Sequence, residues 1–158
     1  MSRLDYFSHA PELANAFQTF SNAVSKHEAL KGLKDLVTIR ASQLNGCAFC
    51  LDMHVKEAKI HGERELRVYH IAIWHESTLF SERERAALRW TELLTQVPAG
   101  GISDDAFNQV RQHFSDSEVA ALTMLIVAIN GWNRLGVAFR PTPGSLDKLF
   151  GLDKADLQ

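Results

Sequence analysis

The chain has 158 residues, 46% of them apolar and 23% charged, with 17 basic against 19 acidic side chains and a net charge of −2. That length suits one domain, 1–158, with a buried core, and the balanced charge excludes the electrostatic footprint of a nucleic-acid or anionic-membrane binder. The opening MSRLDYFSHAPEL lacks the apolar stretch of a secretory leader, and the longest apolar run, 119–129, is far short of the roughly 20 residues that span a bilayer, so a cytoplasmic chain without a membrane partner is expected.

Helical spacing dominates the chain in order. Leu13, Phe17, Phe20 and Val24 recur three and four apart over 11–26, and Leu33, Leu36, Val37, Arg40 and Leu44 do the same over 30–44. Asn45-Gly46 reads as the turn that ends that helix, and 47–61 restarts with Leu51, Val55 and Ala58 on one side. Residues 63–75 form the next expected helix, with Leu66, Tyr69, His70 and Ile73 in register. Ser81 and Glu84 form a capping box opening 82–96, whose inner face is Ala86, Leu88, Trp90 and Leu93. Residues 103–114 and 117–134 are the last two helices, with Leu122, Leu125, Ile126 and Ile129 as core or subunit interface. The tail from 140, with Pro141, Pro143 and Gly144, reads as an irregular arm with one short helical turn. No run alternates with the period of two that a strand needs, so the fold class is all-α.

Chemistry concentrates in NGCAFCLDMH, residues 45–54, which holds both cysteines of the chain. Cys47 falls at the start of a helix, where unpaired backbone N–H groups favour a thiolate and a cysteine pKa can drop from about 8.5 to roughly 3.5–7.5. Side chains three apart on a helix sit about 5–6 Å apart at Cβ, within bridging range of a disulfide, and His54 follows Cys50 by four on the same face. The spacing offers two thiols that can close and a base within reach. Packing of small buried cysteines is the plain alternative. A zinc site built from Cys47, Cys50, His54 and His61 fails on reach, since Cys47 and His61 lie roughly 21 Å apart along one helix; His27, His70, His75 or Asp35 would have to supply other ligands. No cofactor is called for. A thioredoxin fold needs a strand before the motif, where a helix is expected.

The stretch from Asp35 through Ser42-Gln43-Leu44-Asn45-Gly46-Cys47-Ala48-Phe49-Cys50 to His54 resembles the alkylhydroperoxidase D-like branch of the carboxymuconolactone decarboxylase superfamily. The likeness extends through Trp74-His75-Glu76-Ser77, Phe80-Ser81-Glu82-Arg83-Glu84 and Trp90-Thr91-Glu92, covering most of 30–95, with a weaker echo in Asn130-Gly131-Trp132-Asn133-Arg134. It implies an all-α bundle assembling as a trimer or hexamer, with thiol-dependent peroxidase activity. It also implies that Cys50 is the peroxidatic thiol, that Cys47 resolves it, and that His54 works with an acid twelve residues before the first cysteine. That acid is Asp35 here, one methylene shorter than the family's glutamate, and Phe49 stands where some members carry a second histidine.

Two local effects compete over which thiol is the more acidic. Helix-terminus electrostatics favour Cys47, whereas the base at four residues favours Cys50; the expectation follows the base, with Cys47 as the more exposed sulfur open to an external reductant. The expected cycle runs from a Cys50 thiolate through sulfenic acid to a Cys47–Cys50 disulfide, which a lipoyl or thioredoxin-like dithiol reduces. A redox sensor with little turnover and a lactone decarboxylase remain alternatives. Outside the motif, His75, Glu76, Ser42, Gln43, Arg134 and Arg140 carry weaker expectations of lining the site or binding an anion.

Overall fold

The protein is described here as a computed structural model covering residues 2–157. Among these residues there is no strand, and the all-α expectation holds. The helices are α1 (Tyr6–His9), α2 (Pro11–Ser25), α3 (Lys34–Asn45), α4 (Ala48–Ile60), α5 (Glu65–His70), α6 (Glu82–Thr95), α7 (Asp104–Arg111), α8 (Asp116–Phe139) and α9 (Asp147–Phe150). Short 3-10 turns at Glu28–Leu30, Ile71–Ile73 and Leu152–Ala155 complete the path.

Helix α3 is the centre of the bundle, packed on α4, α6 and α8. Leu36, Val37, Thr38, Ile39, Ala41 and Ser42 are all buried along it, so it shows burial around most of its circumference rather than along one stripe. One core cluster joins Leu33 and Val37 to Trp90, Leu122, Leu125 and Ile126, and a second joins Leu36 and Ile39 to Ile71, Trp74, Phe80 and Leu88. Helix α8 has a mean hydropathy of 1.3 over its most apolar window, enough by length and composition to cross a bilayer. Here Leu122, Leu125, Ile126 and Ile129 are buried inside the chain, so the stripe expected as core or interface is core.

Helix ends follow their capping residues. The Ser81–Glu84 capping box is present, and an equivalent Ser115–Glu118 box, not anticipated, starts α8 at Asp116. Gly46 ends α3 in the left-handed region at φ 64°, where glycine carries no Cβ penalty. Three expectations need correction. Helix α5 stops at His70, and the 3-10 turn behind it rotates Ile71 and Trp74 inward, leaving Leu66, Tyr69 and Ile73 on the surface. Leu13 of the first expected stripe is 75% exposed, and Ala14 turns inward instead. Helix α8 runs on to Phe139, five residues past its expected end.

Both terminal segments return to the α4 side of the bundle. The backbone N–H of Arg3 donates to Phe139 O at 2.8 Å, tying α1 to the end of α8. The arm after α8 holds two short helical pieces rather than one, and it is clasped by Lys56. That buried ammonium on α4 bonds Asp52 at 2.8 Å and Asp147 of α9 at 2.7 Å.

Candidate functional site

Cys47 is the N-cap of α4, with extended backbone at φ −88°, and its Sγ accepts the N–H of Cys50 at 3.4 Å. Cysteine thus stands where serine or aspartate usually caps, and its sulfur faces the unpaired N–H groups of the first turn. Both cysteines are buried and both are free thiols. They meet the far end of α8, where Gly136 packs against them so closely that a Cβ there would lie 2.5 Å from Cys47 Sγ and 3.3 Å from Cys50 Sγ.

The interaction between the two thiols, three residues apart, separates their acidities. It holds Cys47 down to about 7 against the upward push of burial, helped by backbone N–H groups and by the Asn133 amide. The same interaction, with burial and the charge on Cys47, pushes Cys50 well above the ordinary thiol range. The expectation that Cys50 would be the more acidic thiol loses its premise, because His54 hydrogen-bonds Glu57 and neither sulfur, whereas the cap lowers Cys47.

Access runs the other way. A cavity of about 580 Å³ lies between α2, α4, α8 and the terminal segments, and Cys50 lines it whereas Cys47 does not. Cys47 is 2% exposed and Cys50 4%, so Cys47 is not the more exposed sulfur. The apolar wall is built from Phe7, Met53, Ile129, Trp132, Leu146 and Phe150. Phe49 shares this wall, adding apolar surface where a second histidine would have added a base. Tyr6 lines it as well; burial first, then the charge of Cys50, pushes its phenol up to about 12, so it stays protonated.

His54 also lines the cavity, one turn beyond Cys50. Its Nδ1 is paired with Glu57 Oε2 at 2.8 Å, and Lys34 Nζ lies 3.7 Å from the same oxygen. Asp35, expected to orient His54, bonds Nδ1 of His61 at 2.8 Å instead, and its other oxygen is buried with no hydrogen-bond partner among the described residues. The reason is register. Helices α3 and α4 form an antiparallel hairpin about Gly46; Asp35 stands eleven residues before Gly46 and His54 eight after it. The carboxylate is thus level with the end of α4, roughly one helical turn, or about 5 Å, past the imidazole.

Burial pushes the Glu57 carboxyl up, but the hydrogen bond from His54 and the charges of His54, Lys34 and His61 outweigh it and hold it at about 2. From an ordinary 4.5, at about 1.4 kcal/mol per pH unit, this depression contributes on the order of 3 kcal/mol at neutral pH. A lowered carboxyl pKa stabilises the fold above the unfolded value and loses that contribution as pH falls through the folded one. Glu57→Gln should therefore be less stable than the wild type near neutrality. The gap should shrink between pH 4.5 and about 2, measured as the difference in urea unfolding free energy; a gap that is constant with pH would remove Glu57 from this pairing.

The remaining expected residues divide cleanly. Ser42 is buried beside the site, donating to Thr38 O at 2.7 Å and accepting from Asn133 Nδ2 at 3.1 Å. Gln43 accepts from Arg40, and exposed Arg134 bonds the carbonyl and side chain of Asn130. His75 stacks on Trp74 with centroids 3.7 Å apart and lies 3.4 Å from Glu92, outside the cavity, while Glu76 and Arg140 are exposed. Glu57 and Gly136 were not singled out from the sequence, and Asn133 stood only within the weaker echo at 130–134, with no role of its own. Glu57 lay three residues after His54 and could have been found by helical spacing; the other two are brought in from α8 by the fold alone.

The profile of the carboxymuconolactone decarboxylase family matches residues 11–93. Over 136 residues the chain is 35% identical to the uncharacterised protein YdfG of Bacillus subtilis, spanning 86% of this chain and 92% of that protein. A solved protein of unknown function from Agrobacterium tumefaciens, described as a candidate antioxidant defence protein AhpD, is 40% identical; it superposes with a TM-score of 0.86 over 90% of this chain and 98% of that one. A peroxidase-related protein from Ralstonia eutropha JMP134 with an AhpD core has a TM-score of 0.77 over 88% and 74% of the two chains; at 19% identity it shows the shared fold.

Proposed function

The chain belongs to the carboxymuconolactone decarboxylase family, as an alkylhydroperoxidase D-like member, and from that premise we propose that it is a thiol-dependent alkyl hydroperoxidase. The observation that carries this is a capping thiol three residues from a second one, both packed on Gly136, with only Cys50 of the two in the wall of an apolar cavity. Near neutral pH the pair holds one proton. Moving that proton across to Cys47, or out to His54, leaves the charge on the sulfur that an incoming hydroperoxide meets.

The Cys50 thiolate attacks the distal oxygen of ROOH and the O–O bond breaks. The alkoxide leaves with a proton from the Cys47 thiol or the His54 imidazolium, and Cys50 becomes a sulfenic acid. Cys47, again a thiolate, attacks the Cys50 sulfur; the S–S bond forms and hydroxide leaves as water after protonation. Glu57, rather than Asp35, orients His54 in this scheme. A lipoyl or thioredoxin-like dithiol then returns two electrons and two protons by exchange, and no resident cofactor takes part. A homo-oligomer, trimer or hexamer, and a reducing cytoplasmic setting belong to the same proposal.

The test is a count of free thiols before and after one equivalent of cumene hydroperoxide per chain, with the rate recorded. Rapid loss of two thiols per chain is the expected result. Slow loss would favour a redox sensor or exchange protein, and peroxide decay without coupled thiol loss would overturn the assignment.

A further inference from the structure

The thiol pair gains from a donor beyond its own helix terminus, because a charge on sulfurs only 2% and 4% exposed has little water to solvate it. Asn133 on α8 is fully buried at 0% exposure, and a side-chain amide in such a place is retained only with its hydrogen bonds satisfied. The orientation of this amide is fixed by its neighbours. Ser42 uses its hydroxyl proton on Thr38 O at 2.7 Å, so its oxygen can only accept, and it accepts from Asn133 Nδ2 at 3.1 Å. On the other side, Asn45 Nδ2 also donates to Ala41 O at 3.0 Å, which marks that end of its amide as the nitrogen, and it donates to Asn133 Oδ1 at 2.9 Å. Oxygen and nitrogen of Asn133 are thereby told apart by two independent partners, and one hydrogen on Nδ2 is left over.

We propose that this second N–H of Asn133 is a catalytic donor to the thiol pair, stabilising sulfur charge as it forms and shifts between Cys47 and Cys50. Asn133 and Gly136 are three apart on one face of α8, and Gly136 lies against both sulfurs. The amide also favours the charged form of each thiol. Having no side chain at Gly136 lets α8 approach closely enough for this contact, and Asn45 aims the amide. Asn45 therefore does two jobs in the motif: it closes α3, and it orients the donor that serves the cysteines two and five residues later. Ser42 and Asn45 are positioning residues; Asn133 is the one proposed to act on the sulfurs.

The inference rests on reading the cysteines as the reactive pair, but its test uses no peroxide. Thiolate formation in the reduced protein is followed by ultraviolet absorbance against pH. Asn133→Ala should move the first midpoint up by about one pH unit, the size of a lost hydrogen bond to a charged group. Asn133→Asp, which keeps the shape and the acceptor for Asn45 but offers no N–H, should move it at least as far. Ser42→Ala, which leaves the sulfur contact in place, should move it less than either. Midpoints of folded Asn133 variants that match the wild type would overturn the proposal. A second measurement needs no variant: in nitrogen-labelled wild-type protein the Asn133 side-chain amide protons should titrate with the thiolate absorbance and shift again on oxidation. Resonances flat through both changes would equally overturn it. Loss of peroxide turnover with these shifts intact would sink the peroxidase reading and leave the donor role standing.

Discussion

Peroxide consumption should fall to the uncatalysed rate when Cys50 is replaced by serine. Replacing Cys47 by serine should instead leave one round of oxidation that stops at a sulfenic acid. Access and acidity point to different sulfurs here, and the two variants separate them. Cys47 carries the resting charge at about 7, yet the cavity opens on Cys50. If access decides, Cys50→Ser is inert although it retains the more acidic thiol. In Cys47→Ser the main influence holding the Cys50 thiol protonated, its interaction with the Cys47 sulfur, is gone together with the charge on that neighbour. The Cys50 midpoint should then fall toward the ordinary thiol range, within reach of His54. Thiolate absorbance reads that fall, and dimedone labelling with mass spectrometry reads the trapped sulfenic acid. Should Cys50→Ser stay active and Cys47→Ser be the inert variant, attack belongs to the capping sulfur and the proposed roles are exchanged. Serine in place of either buried cysteine should cost only about 1 kcal/mol of stability, so loss of activity would not be loss of fold.

What the sequence disclosed about this site was whatever is settled within one helical turn. Asn45-Gly46 stops α3, Cys47 caps α4 and Cys50 follows within bridging distance because backbone geometry allows little else. The acid partner of His54 was a different kind of question. It depended on the register between α3 and α4, which the spacing of Asp35 from Cys47 does not reveal, and the nearer Glu57 on the same helix won. The relative acidity of the thiols was partly hidden for a similar reason: the cap and the three-residue spacing could be read locally, but the Asn133 amide depends on how α8 lands. The cavity was least legible of all. Its walls join Tyr6 and Phe7 from one end of the chain to Leu146 and Phe150 from the other, and nothing in local periodicity pairs those segments. The misjudged α5 shows the complementary failure, where Leu66, Tyr69 and Ile73 carry helical spacing on a face that meets solvent. An apolar stripe states that a helix can bury a side, and tertiary packing decides whether it does.

Gly136→Ala should be destabilising and should slow disulfide closure, against the trend of helix propensity. In an open helix the change from glycine to alanine stabilises by about 1 kcal/mol. At this position the new methyl would stand 2.5 Å from Cys47 Sγ and 3.3 Å from Cys50 Sγ, and overpacking a close-packed site costs roughly 1–3 kcal/mol. The sulfurs are buried, so relief must come by rotating Cys47 away or by pushing α8 off α4. Rotation gives up the cap to Cys50 N–H at 3.4 Å and with it part of what holds the Cys47 thiol near 7. Separation of the helices draws Asn133 back as well. Either way the first thiolate midpoint should rise, loss of the second thiol after peroxide should slow by about tenfold (one pH unit of lost thiolate), and Tm should drop by about 2–4 °C for each kcal/mol lost. Gly131→Ala supplies the contrast, since its methyl would meet the Phe17 ring rather than sulfur. It should lower Tm without moving the thiolate midpoint. A Gly136→Ala protein with a raised Tm and wild-type thiol kinetics would show that the spacing of α8 and α4 is not set by the sulfurs, and would remove the structural basis for a donor reaching them from α8.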